Sequence, residues 1–117
     1  DASNNSSLVT EVFHGNNSLL FTGDIEKERI ADIKYELNDA GYDFLKVPHH
    51  GRYEKILPEF FSLVGAQSAV ITSSEKNPED QETVQALVDA VTMNYMLTRN
   101  GEVTLESDGG KLSFTQK

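Results

Sequence analysis

Cysteine is absent from these 117 residues and proline occurs only three times. Without cysteine there is no disulfide staple, no thiolate zinc site and no cysteine nucleophile. A cysteine-free chain suits oxidising and reducing compartments alike, so the compartment stays open. Long apolar runs are missing too. No stretch approaches the roughly 20 residues of a membrane helix, and no charged-then-apolar leader stands at the start. Basic residues are scarce: 10 Lys+Arg face 19 Asp+Glu, for a net charge of −9. The excess is spread evenly, with six basic and ten acidic residues in 1–58 and four and nine in 59–117. Such a surface repels phosphate backbones unless a metal ion or a local basic patch intervenes. No Lys/Arg stripe is present, which argues against nucleic-acid binding by this chain alone.

What is there reads as one small folded unit. The hydrophobic fraction is 38 % and the charged fraction 25 %, within the globular range. A chain this short buries proportionally little surface and is expected to be only marginally stable by itself.

Residues 1–5 read as a polar, frayed end. Strands are predicted at 7–13 and 18–22, joined by the turn cluster His14-Gly15-Asn16-Asn17. Ile30, Ile33, Leu37 and Ala40 then lie at helical spacing, with Asp24 where an N-cap would sit and Gly41 to end the helix. Asp43–Val47 is a short strand stopped by Pro48, and His49-His50-Gly51-Arg52 is a polar loop. Tyr53, Ile56, Leu57, Phe60, Phe61 and Val64 share a helical face, with Pro58 either kinking it or opening a later start. Ser68–Thr72 is a buried-type strand, 73–80 a loop, and Val84, Leu87, Val88 and Val91 a third helical stripe. Tyr95–Thr98, Glu102–Glu106 and Lys111–Thr115 are short strands, with Asn100-Gly101 and Asp108-Gly109-Gly110 as hairpin turns. The order β-β-α-β-α-β-α-β-β-β predicts an α/β fold with a mixed sheet.

Three places can carry chemistry. Asp24 ends an apolar strand, where α/β proteins present ligand-binding groups; by local sequence alone it reads more readily as a helix cap. His49 and His50 follow another strand. Imidazole is the common neutral metal ligand and general base near pH 7, yet His-His-Gly also occurs as a plain surface loop. On an extended segment the two rings point opposite ways, so one of them would reach a given ion. If their strands are parallel neighbours, Asp24 and the histidines share a sheet edge. A carboxylate and an imidazole suit zinc or manganese, but a catalytic zinc takes about three protein ligands. His14, at the far end of its strand pair, is expected to be exposed and inert. Ser73-Ser74 stand where a substrate's polar group could bind, or serve the local backbone. No nucleophile elbow, P-loop or dinucleotide fingerprint is present.

The segments Asn5-Ser6-Ser7-Leu8-Val9, Ser18-Leu19-Leu20-Phe21-Thr22-Gly23-Asp24 and Phe44-Leu45-Lys46-Val47-Pro48-His49-His50-Gly51 together resemble the second half of metallo-β-lactamase-fold hydrolases. The resemblance is nearest to the ComEC-type group, related to the hydrolase domain of the DNA-uptake competence channel. It runs from about residue 4 to about 106, with Ala69–Ser73 and Thr98…Gly101 in corresponding places. It implies that 1–117 is a single partial domain, the C-terminal half of an αβ/βα sandwich, with a mixed sheet and helices on one face. It implies that Asp24 bridges two metal ions, zinc or manganese, and that His49 completes one site, with His50 as the other member of the pair. The complete enzyme would hydrolyse a phosphodiester or another ester.

The departures are specific. The signature His-x-His-x-Asp-His is absent, as is the middle histidine ligand. Arg52 stands where the family often has serine, and Asn77-Pro78 where it often has His-Pro. This chain alone is therefore expected to be inactive and to bind metal weakly or not at all. Its inner apolar sheet face is expected to meet the missing N-terminal half or a second copy. Nucleic acid is a partner only for the complete protein. The alternative is a non-catalytic α/β interaction module with a degenerate metal site.

Overall fold

The computed structural model describes residues 8–90 and 94–117. The expected frayed end at 1–5, the first residue of the first predicted strand and Val91 lie outside the described residues. Five strands form one sheet in the order β1 (Thr10–His14), β2 (Asn17–Phe21), β3 (Phe44–Lys46), β4 (Ser68–Ile71), β5 (Asn94–Leu97). β1 is antiparallel to β2, and β2 through β5 run parallel. The mixed α/β architecture read from the sequence is the one observed.

Three helices connect the parallel strands: α1 (Lys27–Ile33), α2 (Leu57–Val64) and α3 (Gln81–Asp89). The strands follow one another across the sheet without reversal. Crossovers between parallel strands are right-handed, so an unreversed order puts all three helices on one face. That face carries Leu20, Leu45, Val47, Ala69 and Ile71, packed with Ile30 and Ile33 of α1, Leu57, Phe60, Phe61 and Val64 of α2, and Ala86 and Leu87 of α3. In α2 the buried residues fall at i, i+3, i+4 and i+7, the spacing of one helical face. Pro58 sits in the first turn, where its missing N–H costs nothing, and the helix starts late instead of kinking.

Four sequence expectations are corrected. The first helix does not begin at Asp24: residue 26 holds the N-cap position, and the helix tightens into a 3-10 turn at Lys34–Glu36. It stops before Gly41 because Leu37 is extended and the Asn38 side chain accepts the Ala40 N–H at 3.2 Å, a local bond that competes with the helix. In α3 the buried residues are Thr83, Ala86 and Leu87, while Val88 is exposed. Asn100-Gly101 is not a hairpin turn. A 3-10 turn at Thr98–Asn100 and Gly101 at φ 138°, a conformation open to glycine, carry the chain out of the sheet. β6 (Val103–Ser107) then pairs only with β7 (Leu112–Gln116) as a separate hairpin.

That hairpin changes the fourth expectation. From the sequence, the second sheet face is expected to meet a missing N-terminal half or a second copy. Instead Leu19, Phe44 and Val70 are buried on it, packed with Val103, Leu105, Leu112 and Phe114. The alternation of apolar and polar residues along β6 and β7 supplies one apolar face for this contact. The two hairpin turns interlock at one end. Asn16 N–H donates to the Gly109 carbonyl at 2.6 Å, and Asn17 Nδ2 and His14 Nδ1 meet the Ser107 hydroxyl at 2.8 and 2.7 Å. His14 is exposed, as expected, and ties the hairpins together through this bond. What stays open is β1: all five residues are exposed, among them Val12 and Phe13.

Candidate functional site

The C-terminal ends of β2, β3, β4 and β5 lie side by side, and the residues just beyond them form one surface. This is the end at which parallel sheets present ligand-binding groups. Beyond β2, the buried Thr22 hydroxyl donates to the Lys46 carbonyl, locking β2 to β3. Gly23 then turns the chain at φ 58°. Its carbonyl accepts the His49 N–H at 3.1 Å and the Lys46 ammonium at 2.8 Å. The two loops are thereby stitched together, and Asp24 is brought over the end of β3.

Beyond β3 the backbone is unusual. His49 (φ 50°, ψ 46°) and His50 (φ 55°, ψ 26°) both occupy the left-handed region, so this segment is not the extended one the sequence suggested. Each such residue costs about 1–3 kcal/mol and persists only where its surroundings over-determine it. Here they do. Besides the bond to Gly23, Arg52 N–H donates to the His49 carbonyl at 3.0 Å, Asp80 N–H donates to the Gly51 carbonyl at 3.1 Å, and the Asp80 carboxylate accepts the Tyr53 N–H at 2.7 Å. Gly51 is required at φ 80°: a Cβ there would lie 2.7 Å from Ile71 Cγ2 and 2.8 Å from Glu79 Cβ.

This turn aims His50 at Asp24, with Nε2 3.1 Å from Oδ1. Its Nδ1 lies 2.7 Å from the Thr72 carbonyl and 3.0 Å from the Thr72 hydroxyl, beyond β4. A carbonyl only accepts, so Nδ1 donates. A carboxylate also only accepts, so Nε2 needs a proton or a cation between it and Asp24. An Nδ1–H to carbonyl bond is the usual outer support of a metal-ligating histidine. The donor set thus fits a divalent ion in kind. It falls short in number: among the described residues no group of three His, Cys, Asp or Glu side chains is placed to hold a metal. His49 is half-buried and lines the same cleft as His50, but it is His50 that meets Asp24.

Sequence reasoning missed three contributors. Lys46 lies beneath Asp24, its Nζ 4.0 Å from Oδ1; burial pulls its ammonium below the usual lysine range, and Asp24 partly opposes that. Glu79 is a buried carboxylate under the histidine turn, paired with Arg99 at 3.1 Å through Oε2, while Oε1 has no hydrogen-bond partner among the described residues. Thr72 anchors His50. Nothing in the local sequence marks Glu79, because Pro78-Glu79-Asp80 reads as a solvated loop. Next to His50 a cleft of about 370 Å³ opens between Arg52, Ser73, Asn77 and Thr98.

Over 74 residues, 63 % of this chain, the sequence is 35 % identical to ComE operon protein 3 of Bacillus subtilis (strain 168). The chain is similar to that protein. The aligned part is 10 % of the relative, so the chain spans about a tenth of its length. No family model matches the chain, and no solved structure matches it. No helix among the described residues is long and apolar enough to cross a membrane.

Proposed function

We propose that this chain is part of a metal-dependent hydrolase of the metallo-β-lactamase type, acting on a phosphodiester or another ester and linked to competence. The observation that carries the reading is the approach of His50 to Asp24 at the ends of adjacent parallel strands, on a turn strained at two consecutive residues. Backbone strain of that kind gathers at working sites. The likeness to ComE operon protein 3 supports the competence link.

In this reading Asp24 and an imidazole of the His49-His50 pair hold zinc or manganese, and the remaining ligands come from outside this chain. The metal supplies an activated water and charge stabilisation at the ester. The chain's own residues do the positioning. Thr72 fixes the His50 ring and presents Nε2. Lys46 holds the Gly23 carbonyl and sits behind Asp24, so the carboxylate is oriented before any ion arrives. Alone, the chain does not turn over substrate.

The test uses the full protein that contains this chain, loaded with zinc or manganese, and bis(p-nitrophenyl) phosphate as substrate. Asp24→Ala abolishes metal-dependent hydrolysis, and His50→Ala lowers it by at least the roughly 10–100-fold typical of losing a group at a metal. Turnover like that of the parent in both variants refutes the assignment. A second reading, a non-catalytic module with a degenerate site, draws on the incomplete ligand set among the described residues. It predicts that no metal binds the full protein tightly enough to survive gel filtration.

A further inference from the structure

The proposed site leaves one buried charge unused. Glu79 lies under the histidine turn with its side chain 1 % exposed, and Arg99, 34 % exposed, pairs with it at 3.1 Å. Its other oxygen, Oε1, is buried and has no hydrogen-bond partner among the described residues. Taking a carboxylate out of water is costly, and an apolar side chain of similar size often serves stability as well or better. Packing alone therefore does not account for a carboxylate here. What an ion pair adds is direction. Apolar burial is non-directional, whereas a guanidinium–carboxylate pair fixes the side chain that carries it.

The segment so fixed is the seat of the turn. The place a Gly51 Cβ would take is 2.8 Å from Glu79 Cβ and 3.5 Å from its Cα. Asp80, the next residue, donates its N–H to the Gly51 carbonyl at 3.1 Å, and its carboxylate accepts the Tyr53 N–H at 2.7 Å. Arg99 is anchored in its turn, because the neighbouring Thr98 hydroxyl donates to the Ser73 carbonyl at 2.8 Å. Ser73 adjoins Thr72, whose carbonyl accepts the His50 Nδ1–H. The short turn Thr98–Asn100 thus ties together both supports of His50: the seat under Gly51 and the acceptor beyond β4. Two consecutive left-handed residues persist only while their surroundings hold them. His50 is therefore the residue that responds first when this support loosens.

We propose that Glu79 is a positioning residue, pinned by Arg99, which keeps the His49-His50 turn left-handed and so aims His50 at Asp24. Its bearing on catalysis rests on the hydrolase reading; the link from Glu79 to His50 does not.

The test uses the isotope-labelled 117-residue chain with a chelator present, at about pH 8, where a free imidazole is neutral. Two signals of the His50 ring are read: the nitrogen shift of Nδ1, which reports whether it carries a proton, and the Overhauser contact between the ring and Thr72. The parent is expected to show a protonated Nδ1 and the contact; their absence overturns the proposal at once. The double variant Glu79→Leu, Arg99→Met removes the ion pair and keeps most of the volume. Its urea midpoint is expected at or above that of the parent, with both His50 signals lost. Glu79→Gln, which still accepts an Arg99 N–H, is expected to keep them. A folded double variant that retains both signals shows the pair to be mere filling and overturns the positioning role. A double variant that fails to fold, or loss of the signals in Glu79→Gln, assigns the pair to stability or to charge alone and overturns it too. In the full protein loaded with zinc or manganese, the double variant lowers kcat on bis(p-nitrophenyl) phosphate about tenfold, the low end for an outer partner of a metal site, with KM unchanged. If the parent itself shows no hydrolysis, the hydrolase reading fails, and the His50 signals still decide the role of Glu79.

Discussion

Replacing Gly51 by alanine tests the strained histidine turn directly. Two costs add. At φ 80° an L-residue sits in the left-handed region, for about 1–2 kcal/mol. The new Cβ also lies within 2.8 Å of both Ile71 Cγ2 and Glu79 Cβ. Ile71 is fully buried and Glu79 nearly so, so neither yields freely. Overpacking of this kind costs about 1–3 kcal/mol. The total is about 2–5 kcal/mol, a large part of the roughly 5–15 kcal/mol that holds a domain together. Gly65→Ala is the matched control. Its φ is 60°, but the nearest atom to the added Cβ is the Ser62 carbonyl oxygen at 3.9 Å, an ordinary contact. It should cost the conformational share alone, about 1–2 kcal/mol. Urea unfolding followed by circular dichroism reads both variants. If Gly51→Ala loses no more than Gly65→Ala, the turn is not packed against Ile71 and Glu79 as described, and the argument that the surroundings hold His50 in place fails with it.

Other outcomes follow from the same packing and charges. Phe60→Ala, at the fully buried centre of the helix face, should cost about 3–5 kcal/mol in the same urea assay. Arg99→Ala strands the buried Glu79 carboxylate; the loss should be about 2 kcal/mol, below that of a fully enclosed pair because Arg99 is partly exposed, and Glu79→Gln in the same chain should recover much of it. Burial, then the hydrogen bond it donates to the Glu11 carboxylate, push the Tyr42 phenol up to about 12 from its ordinary value of 10.0. A raised acid binds its proton more tightly when folded, so its stabilisation is complete below pH 10 and is lost as pH climbs from about 10 to about 12. Tyr42→Phe should flatten that part of a urea-midpoint-against-pH curve, and an unchanged slope would count against the contact.

The parallel sheet was legible because its strands are short apolar runs set off by glycine and proline, with helical stripes between them. Residues 57–64 are the clearest case, since Pro58 and Gly65 bracket the apolar face. Asp24 and the histidines were legible as a shared sheet edge for the same reason: each follows a strand directly. The pairing of Asp24 with His50 was not, because it depends on two consecutive left-handed residues that no local propensity favours. Glu79 and Arg99 were hidden by distance in sequence and by their ordinary loop settings. The placement of β6 and β7 was misread because Asn100-Gly101 looks like a tight hairpin turn, whereas the apolar face of the pair is satisfied only across the sheet by Leu19, Phe44 and Val70.

The interlocked turns of the two hairpins join residues more than ninety positions apart, as between His14 and Ser107. Contacts of such long sequence separation form late, because the chain entropy of closing the loop comes first. On a ribosome the strands of the parallel sheet could assemble while Leu19, Phe44 and Val70 were still bare. Until residues 103–116 arrive, that surface is adhesive, and a chaperone or a neighbouring nascent chain would find it before the native hairpin does.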